Sequence, residues 1–270
     1  MEISNFVLPF LLTLFAGLST GIGGLFVLLF RKTNAKLMSI ALGFSAGVMI
    51  YVSFVEIFNE ARQHLINSLG VKSGEWATAA SFFLGMMVIA LIDRFVPNPE
   101  NPHEQHKIEE TNSCDINHNS KKLLKTGTLT ALAITIHNFP EGIAAFISGV
   151  NQPSLGIAIA LAIAIHNIPE GIAVSIPVYC ATGSRKKAFI MSLLSGLSEP
   201  LGALIGYLIL RPFMNDVVFG ISFAAVAGIM VFISLDELLP AAREYGEHHL
   251  SIFGLIGGMV VMAVGLLVIF

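Results

Sequence analysis

His137-Asn138-Phe139-Pro140-Glu141-Gly142-Ile143-Ala144 (HNFPEGIA) returns at residues 166–173 as HNIPEGIA, each copy in the middle of an apolar stretch long enough to cross a bilayer. A charged side chain at the centre of a transmembrane helix costs about 2.5–3.5 kcal/mol on insertion scales. A chain that meets this cost twice, with the same residues in the same order, holds them for chemistry rather than for packing. Something cationic has to sit between them.

The surrounding composition agrees. Of 270 residues, 54% are hydrophobic and only 12% charged, and mean hydropathy is +0.77, whereas soluble domains carry about 25% charged residues. These values describe an integral membrane protein. No basic face or aromatic-interleaved patch points to a nucleic-acid partner. Cys114 and Cys180 lie far apart in different kinds of segment and read as neither a disulfide framework nor a CxxC pair. The opening MEISNFVLPF has an acid and no Lys or Arg before its apolar run. A secretory signal starts with positive charge, so the first segment is expected to stay in the membrane as a helix.

A helix needs about 20 mostly apolar residues to span the hydrocarbon. Eight candidate spans fall at 7–30, 37–58, 76–92, 127–150, 154–180, 188–210, 217–239 and 250–270. Twelve of the 15 Lys and Arg residues, among them Arg31, Arg94 and Arg185, lie on one set of alternate connections. Arg62, Lys72 and Arg211 lie on the other. The positive-inside rule makes the richer set cytoplasmic, which puts both termini outside. The expected fold is thus all-α: a single transporter domain over 1–270, eight transmembrane helices in an inverted-repeat bundle, and a site at the midplane. The long connection 93–126 is polar, rich in Pro, Asn and Glu, and without apolar periodicity. It reads as a flexible cytoplasmic loop. It holds His103, His106, Cys114, Asp115 and His118, for which a solvated linker is a better reading than a metal trap. Glycines four apart (Gly17/Gly21, Gly43/Gly47, Gly202/Gly206, Gly254/Gly258) predict close helix packing inside one bundle.

Residues i, i+1 and i+4 lie on neighbouring parts of one helix face. His137, Asn138 and Glu141 therefore point together from the fourth helix, and His166, Asn167 and Glu170 from the fifth. The two helices run in opposite directions, joined by a short turn at Asn151-Gln152-Pro153. Equal depth on antiparallel neighbours brings the clusters face to face, as in transporters built from inverted repeats. Pro140 and Pro169 withdraw the donors that the carbonyls of Ile136 and Ile165 would use, which is tolerated at membrane depth beside a cavity. Glu199, followed by Pro200 in SGLSEPLG, adds a third carboxylate midway along the sixth span. No Lys or Arg lies inside the spans, except at their ends, to balance these acids. Divalent metal or protons must do so.

Imidazole and carboxylate suit Zn(II), Fe(II), Mn(II) and Co(II), whereas Cu(I) would call for thiolate or thioether rows. Two His and two Glu can complete a four-coordinate zinc shell. Asn138, Asn167 and Glu199 add oxygens enough for a second metal, with Glu141 and Glu170 as bridges.

The HNxPEG pair on consecutive helices, the eight spans and the connection between the third and fourth resemble the ZIP (Zrt-, Irt-like) metal transporters. The length and the HNFPEG/HNIPEG/SEP set look most like the bacterial ZupT branch. The resemblance implies a binuclear centre, with His137, Glu141, His166 and Glu170 at one site and Asn138, Glu141, Asn167, Glu170 and Glu199 at the other. It also implies inward movement of divalent cations by alternating access, often as a homodimer, in the cell membrane of a prokaryote. The cation is cargo, and no resident cofactor is expected. The chain lacks the long histidine-rich loop of many eukaryotic members, which argues against regulation through that loop. Glu56 and Glu60 near the outer end of the second span, and Asp236 and Glu237 near the inner end of the seventh, are candidates for the entrance and exit. An intramembrane metallohydrolase would place a general-base Glu directly after the first His, as in HExxH. Here an amide follows both histidines, so no enzyme activity is expected.

Overall fold

A computed structural model describes residues 4–29, 35–95, 120–213, 215–244 and 248–269. These residues form eight long helices: α1 (Ser4–Leu29), α2 (Ala35–Leu69), α3 (Val71–Phe95), α4 (Ser120–Asn151), α5 (Pro153–Thr182), α6 (Arg185–Phe213), α7 (Asp216–Glu244) and α8 (His248–Ile269). No strand occurs among the described residues. Seven helices are long and apolar enough to cross a membrane. The eighth, α4, has comparable length and carries His137, Asn138, Pro140 and Glu141 in its apolar half. The helices run past the spans read from hydropathy: α3 starts at Val71 and α4 at Ser120. Residues 96–119, with the loop histidines and Cys114, lie outside the described residues. Cys180 is disulfide-bonded, whereas the sequence suggests no disulfide framework.

Local chemistry sets the ends. Gln152 is extended, and Pro153 follows at the first helical position of α5, where its missing N–H costs nothing. α5 stops at Gly183, whose φ of 63° suits glycine alone without strain. The Ser184 side chain accepts from Lys187 N to cap α6, and Asn215 Oδ1 accepts from Val218 N to cap α7.

α1, α4, α5 and α6 pack together as the inner group. The pair α2–α8 lies against α5, and the pair α3–α7 against α4. Small residues permit these approaches. A Cβ on Gly43 or Gly47 of α2 would collide with the α8 carbonyls of Ser251 and Leu255, and one on Gly254 or Gly258 would collide with Ile40 and Phe44 of α2. The glycine ladder thus works inside one chain, as expected. Large apolar side chains face outward on α3 (Trp76, Phe83, Met87) and α8 (Phe253, Val260, Leu267). The buried set includes His137, Asn138, Glu141, His166, Asn167, Glu170 and Glu199. Apolar outside and polar within is the distribution lipid requires.

Three helices are interrupted, and hydropathy shows none of the interruptions. α2 widens into a π turn over Ser53–Ile57, and α7 does the same over Ser234–Leu238. The two turns share one sequence pattern, Ser-x-x-Glu followed by Ile or Leu. α6 breaks at Leu197 between Arg185–Gly196 and Ser198–Leu210. Pro200 has no N–H for the Gly196 carbonyl, so the helix restarts there. Glu199 consequently stands in the first turn of a helix rather than mid-helix, where the dipole favours a carboxylate.

Candidate metal site

The two HNxPEG turns meet crosswise. His137 Nε2 of α4 is hydrogen-bonded to Glu170 Oε2 of α5 at 3.2 Å, and His166 Nε2 of α5 to Glu141 Oε2 of α4, also at 3.2 Å. Each histidine therefore engages the carboxylate of the opposite repeat, the face-to-face arrangement expected from equal depth. Glu199 of α6 closes the group by accepting a hydrogen bond from Asn167 Nδ2. All seven predicted ligands are at most 1% exposed.

Backbone carbonyls of α1 and α6 hold the two asparagines in matched ways. Asn167 Nδ2 donates to Ala16 O at 3.0 Å, and Asn138 Nδ2 donates to Ser195 O at 3.4 Å. Glycine permits the approach on both sides: a Cβ on Gly142 would strike the Glu199 carbonyl, and one on Gly171 the Thr20 carbonyl. Ser192 Oγ ties α1 to α5 by donating to Thr20 O at 2.7 Å and to Gly171 O at 3.2 Å. The Ser45 hydroxyl of α2 donates to the His166 carbonyl at 3.1 Å.

Each of the seven predicted ligands keeps one buried polar atom with no hydrogen-bond partner: His137 Nδ1, Asn138 Oδ1, Glu141 Oε1, His166 Nδ1, Asn167 Oδ1, Glu170 Oε1 and Glu199 Oε2. Buried polar atoms are paired in the great majority of cases, because an unpaired one costs about 1–3 kcal/mol. Seven such atoms on seven neighbouring side chains form one feature, and all seven are potential electron-pair donors to a cation. Among the described residues, no three His, Cys, Asp or Glu side chains could hold a metal ion as they stand. The cross-helix hydrogen bonds occupy the histidines instead. Coordination would exchange those two bonds for bonds to metal.

The structure divides the expected path residues. Glu237 Oε2 lies 3.6 Å from His137 Nδ1, an ion-pair distance too long for a hydrogen bond. Glu237 is about one-quarter exposed and so links the buried cluster to the surface. Asp236, next to it, is exposed. Glu56 occupies the corresponding π turn of α2 and is half-buried, with no hydrogen bond to the cluster among the described residues. Glu60 instead pairs with His64 at 3.3 Å. His64 also reaches Asp216 of α7 at 3.4 Å and Asn151 of the α4–α5 turn at 3.4 Å. The contacts of His64 with Asn151 and Asp216 are not legible in the sequence, because they join residues 87 and more positions apart.

Comparison with known proteins bears on this geometry. Residues 96–265 match the family model for the ZIP Zinc transporter. The chain is 61% identical over 265 residues to Zinc transporter ZupT of Lysinibacillus sphaericus, covering 98% of each protein. It is 57% identical over 279 residues to Zinc transporter ZupT of Clostridium perfringens, covering 98% of this chain and 97% of the relative. With Zinc transporter ZupT of Streptococcus mutans the identity is 59% over 258 residues and 96% of both. Nearly the whole chain takes part in these matches, the two helices that carry the HNxPEG turns included, and the protein belongs to the ZIP family.

Proposed function

We propose that this protein imports divalent metal cations, chiefly zinc, with iron, manganese, cobalt and cadmium as further cargo. The seven buried donor atoms without partners, one on each predicted ligand, carry this reading. They sit among three carboxylates with no Lys or Arg in the group, so a cation answers both the charge and the missing bonds. The relatives' names, each a zinc transporter, support the choice of cargo. Two ions fit the donor set: His137, Glu141, His166 and Glu170 for one, and Asn138, Glu141, Asn167, Glu170 and Glu199 for the other, with Glu141 and Glu170 bridging.

All eight helices cross the membrane in this reading, and the distribution of Lys and Arg puts both termini outside. The ion then enters past Glu56 and leaves past Asp236 and Glu237. Alternating access moves the inverted repeats about the α4–α5 axis. In this reading the residues bind and pass on an ion, and Asn138 and Asn167 stand where an HExxH enzyme carries its general-base Glu.

The test is zinc uptake into proteoliposomes with competing cations, comparing the intact chain with Glu170→Ala. Loss of a bridging ligand should lower uptake at sub-saturating zinc by more than about tenfold. Equal uptake by the two proteins would overturn the reading.

A further inference from the structure

Thr20 is buried to 0% exposure, and its hydroxyl has no hydrogen-bond partner among the described residues. Among the described residues it is the one such side chain on α1, and the metal-site reading makes no use of it. A buried threonine in a helix ordinarily donates to the carbonyl four residues back. For Thr20 that acceptor is Ala16 O, which already receives Asn167 Nδ2 at 3.0 Å and the Ser19 hydroxyl at 2.5 Å.

The same pattern surrounds Glu199. Ala16-Gly17-Leu18-Ser19-Thr20 of α1 aligns with Ser195-Gly196-Leu197-Ser198-Glu199 of α6. Ser195 O receives Asn138 Nδ2 at 3.4 Å and the Ser198 hydroxyl at 2.6 Å, as Ala16 O receives Asn167 and Ser19. Gly142 packs on the Glu199 carbonyl as Gly171 packs on that of Thr20, and Gly202 on Phe139 as Gly23 on Ile168. Gly17 and Gly196 pack on each other's carbonyls. One operation that exchanges α1 with α6 and α5 with α4 accounts for every one of these contacts. It also carries Glu199 onto Thr20 and Asn167, the partner of Glu199, onto Asn138. A Cβ built on Gly196 would lie 2.8 Å from Thr20 Oγ1, so the hydroxyl faces α6 one turn from Glu199. Asn138 Oδ1, the atom this operation pairs with Asn167 Oδ1, likewise has no partner.

We propose that Thr20 is a selectivity position of the intramembrane site, its hydroxyl offering the cation a neutral oxygen on the Asn138 side where the other repeat offers the Glu199 carboxylate. Threonine is two bonds shorter than glutamate, so its oxygen reaches less far from α1 than the Glu199 carboxylate reaches from α6. The substitution also keeps the site at three carboxylates instead of four. Neutral oxygens favour cations such as Mn(II) over the softer Cd(II). The proposal rests on the importer reading above.

The experiment measures radiolabelled zinc uptake in proteoliposomes, with MnCl2 or CdCl2 as competitor. Thr20→Val keeps the shape and removes the hydroxyl, and Thr20→Ser does the reverse. Competition by manganese should weaken about tenfold in Thr20→Val and stay as in the intact chain in Thr20→Ser. Thr20→Cys, which sets a soft ligand at the same place, should strengthen competition by cadmium, a gain that a misfolded protein cannot show. Unchanged competition in both Thr20→Val and Thr20→Cys would overturn the proposal, as would a Thr20→Ser variant as impaired as Thr20→Val. If the intact chain moves no zinc, it is the importer reading that fails.

Discussion

At the residue scale the site is a set of exchanges waiting to be made. His137 and His166 each engage a carboxylate of the facing helix, while the other carboxylate oxygen stays unpaired. Glu199 is held by Asn167 and takes part in only one of the two proposed ion sites. Glu199→Gln can still accept from Asn167 and keeps the side-chain volume. We expect the variant to fold and to bind one ion per chain instead of two, measured by elemental analysis after dialysis. Two ions in the variant would remove Glu199 from the ligand set. Most of these residues are legible in the sequence, because the motif occurs twice and each copy confirms the other. Thr20 is not, since a single transmembrane threonine usually satisfies itself on its own helix. The approach of Glu237 to His137 is equally hidden, as it depends on how α7 packs against α4.

At the element scale the helices could be read from hydropathy and their interruptions could not. A window average over apolar residues does not register one extra residue in a turn or one missing N–H. Pro200 is the visible trace of the α6 break, but a proline in a transmembrane helix more often produces a simple kink. Close helix packing is legible from glycine pairs repeated four apart, but not that Gly43 and Gly47 of α2 meet α8. Gly47→Val would drive a branched side chain into the Leu255 carbonyl. We expect a loss of about 1–3 kcal/mol, seen as a lower thermal midpoint of the detergent-purified protein. Arg62 and Glu75 supply the contrast. Their ion pair joins α2 to α3 with Arg62 Nε 3.0 Å from either oxygen, and both side chains are more than 40% exposed. Arg62→Ala should leave zinc uptake unchanged.

For the whole molecule, orientation follows from where the charges fall and can be tested without any transport assay. A membrane-impermeant maleimide applied to intact cells should label Lys72→Cys, in the α2–α3 connection, and spare Lys186→Cys, at the start of α6, in a chain freed of its native cysteines. The reverse labelling would invert the bundle and exchange the proposed entrance with the exit. The overall architecture was legible because lipid allows few alternatives: helices must satisfy their own backbone, and polar side chains must face one another. The pairing of α2 with α8 and of α3 with α7 around an inner four was not, since hydropathy ranks helices by composition and says nothing of their neighbours.

The widened turn of α2 has a consequence for everything beyond it. A π turn closes i→i+5 bonds and so accommodates one residue more than the helix on either side. Deleting Phe54, an exposed residue of that turn, would let α2 close into an uninterrupted α-helix. Later residues of α2 would keep nearly their present direction, because the turn had absorbed the one residue removed. His64 would keep Asp216 and Asn151 as partners, whereas the same deletion in the regular helix before Ser53 would turn it away by about 100°. The surplus residue acts as slack: it can be taken up without changing which compass direction the last third of the helix presents to its neighbours.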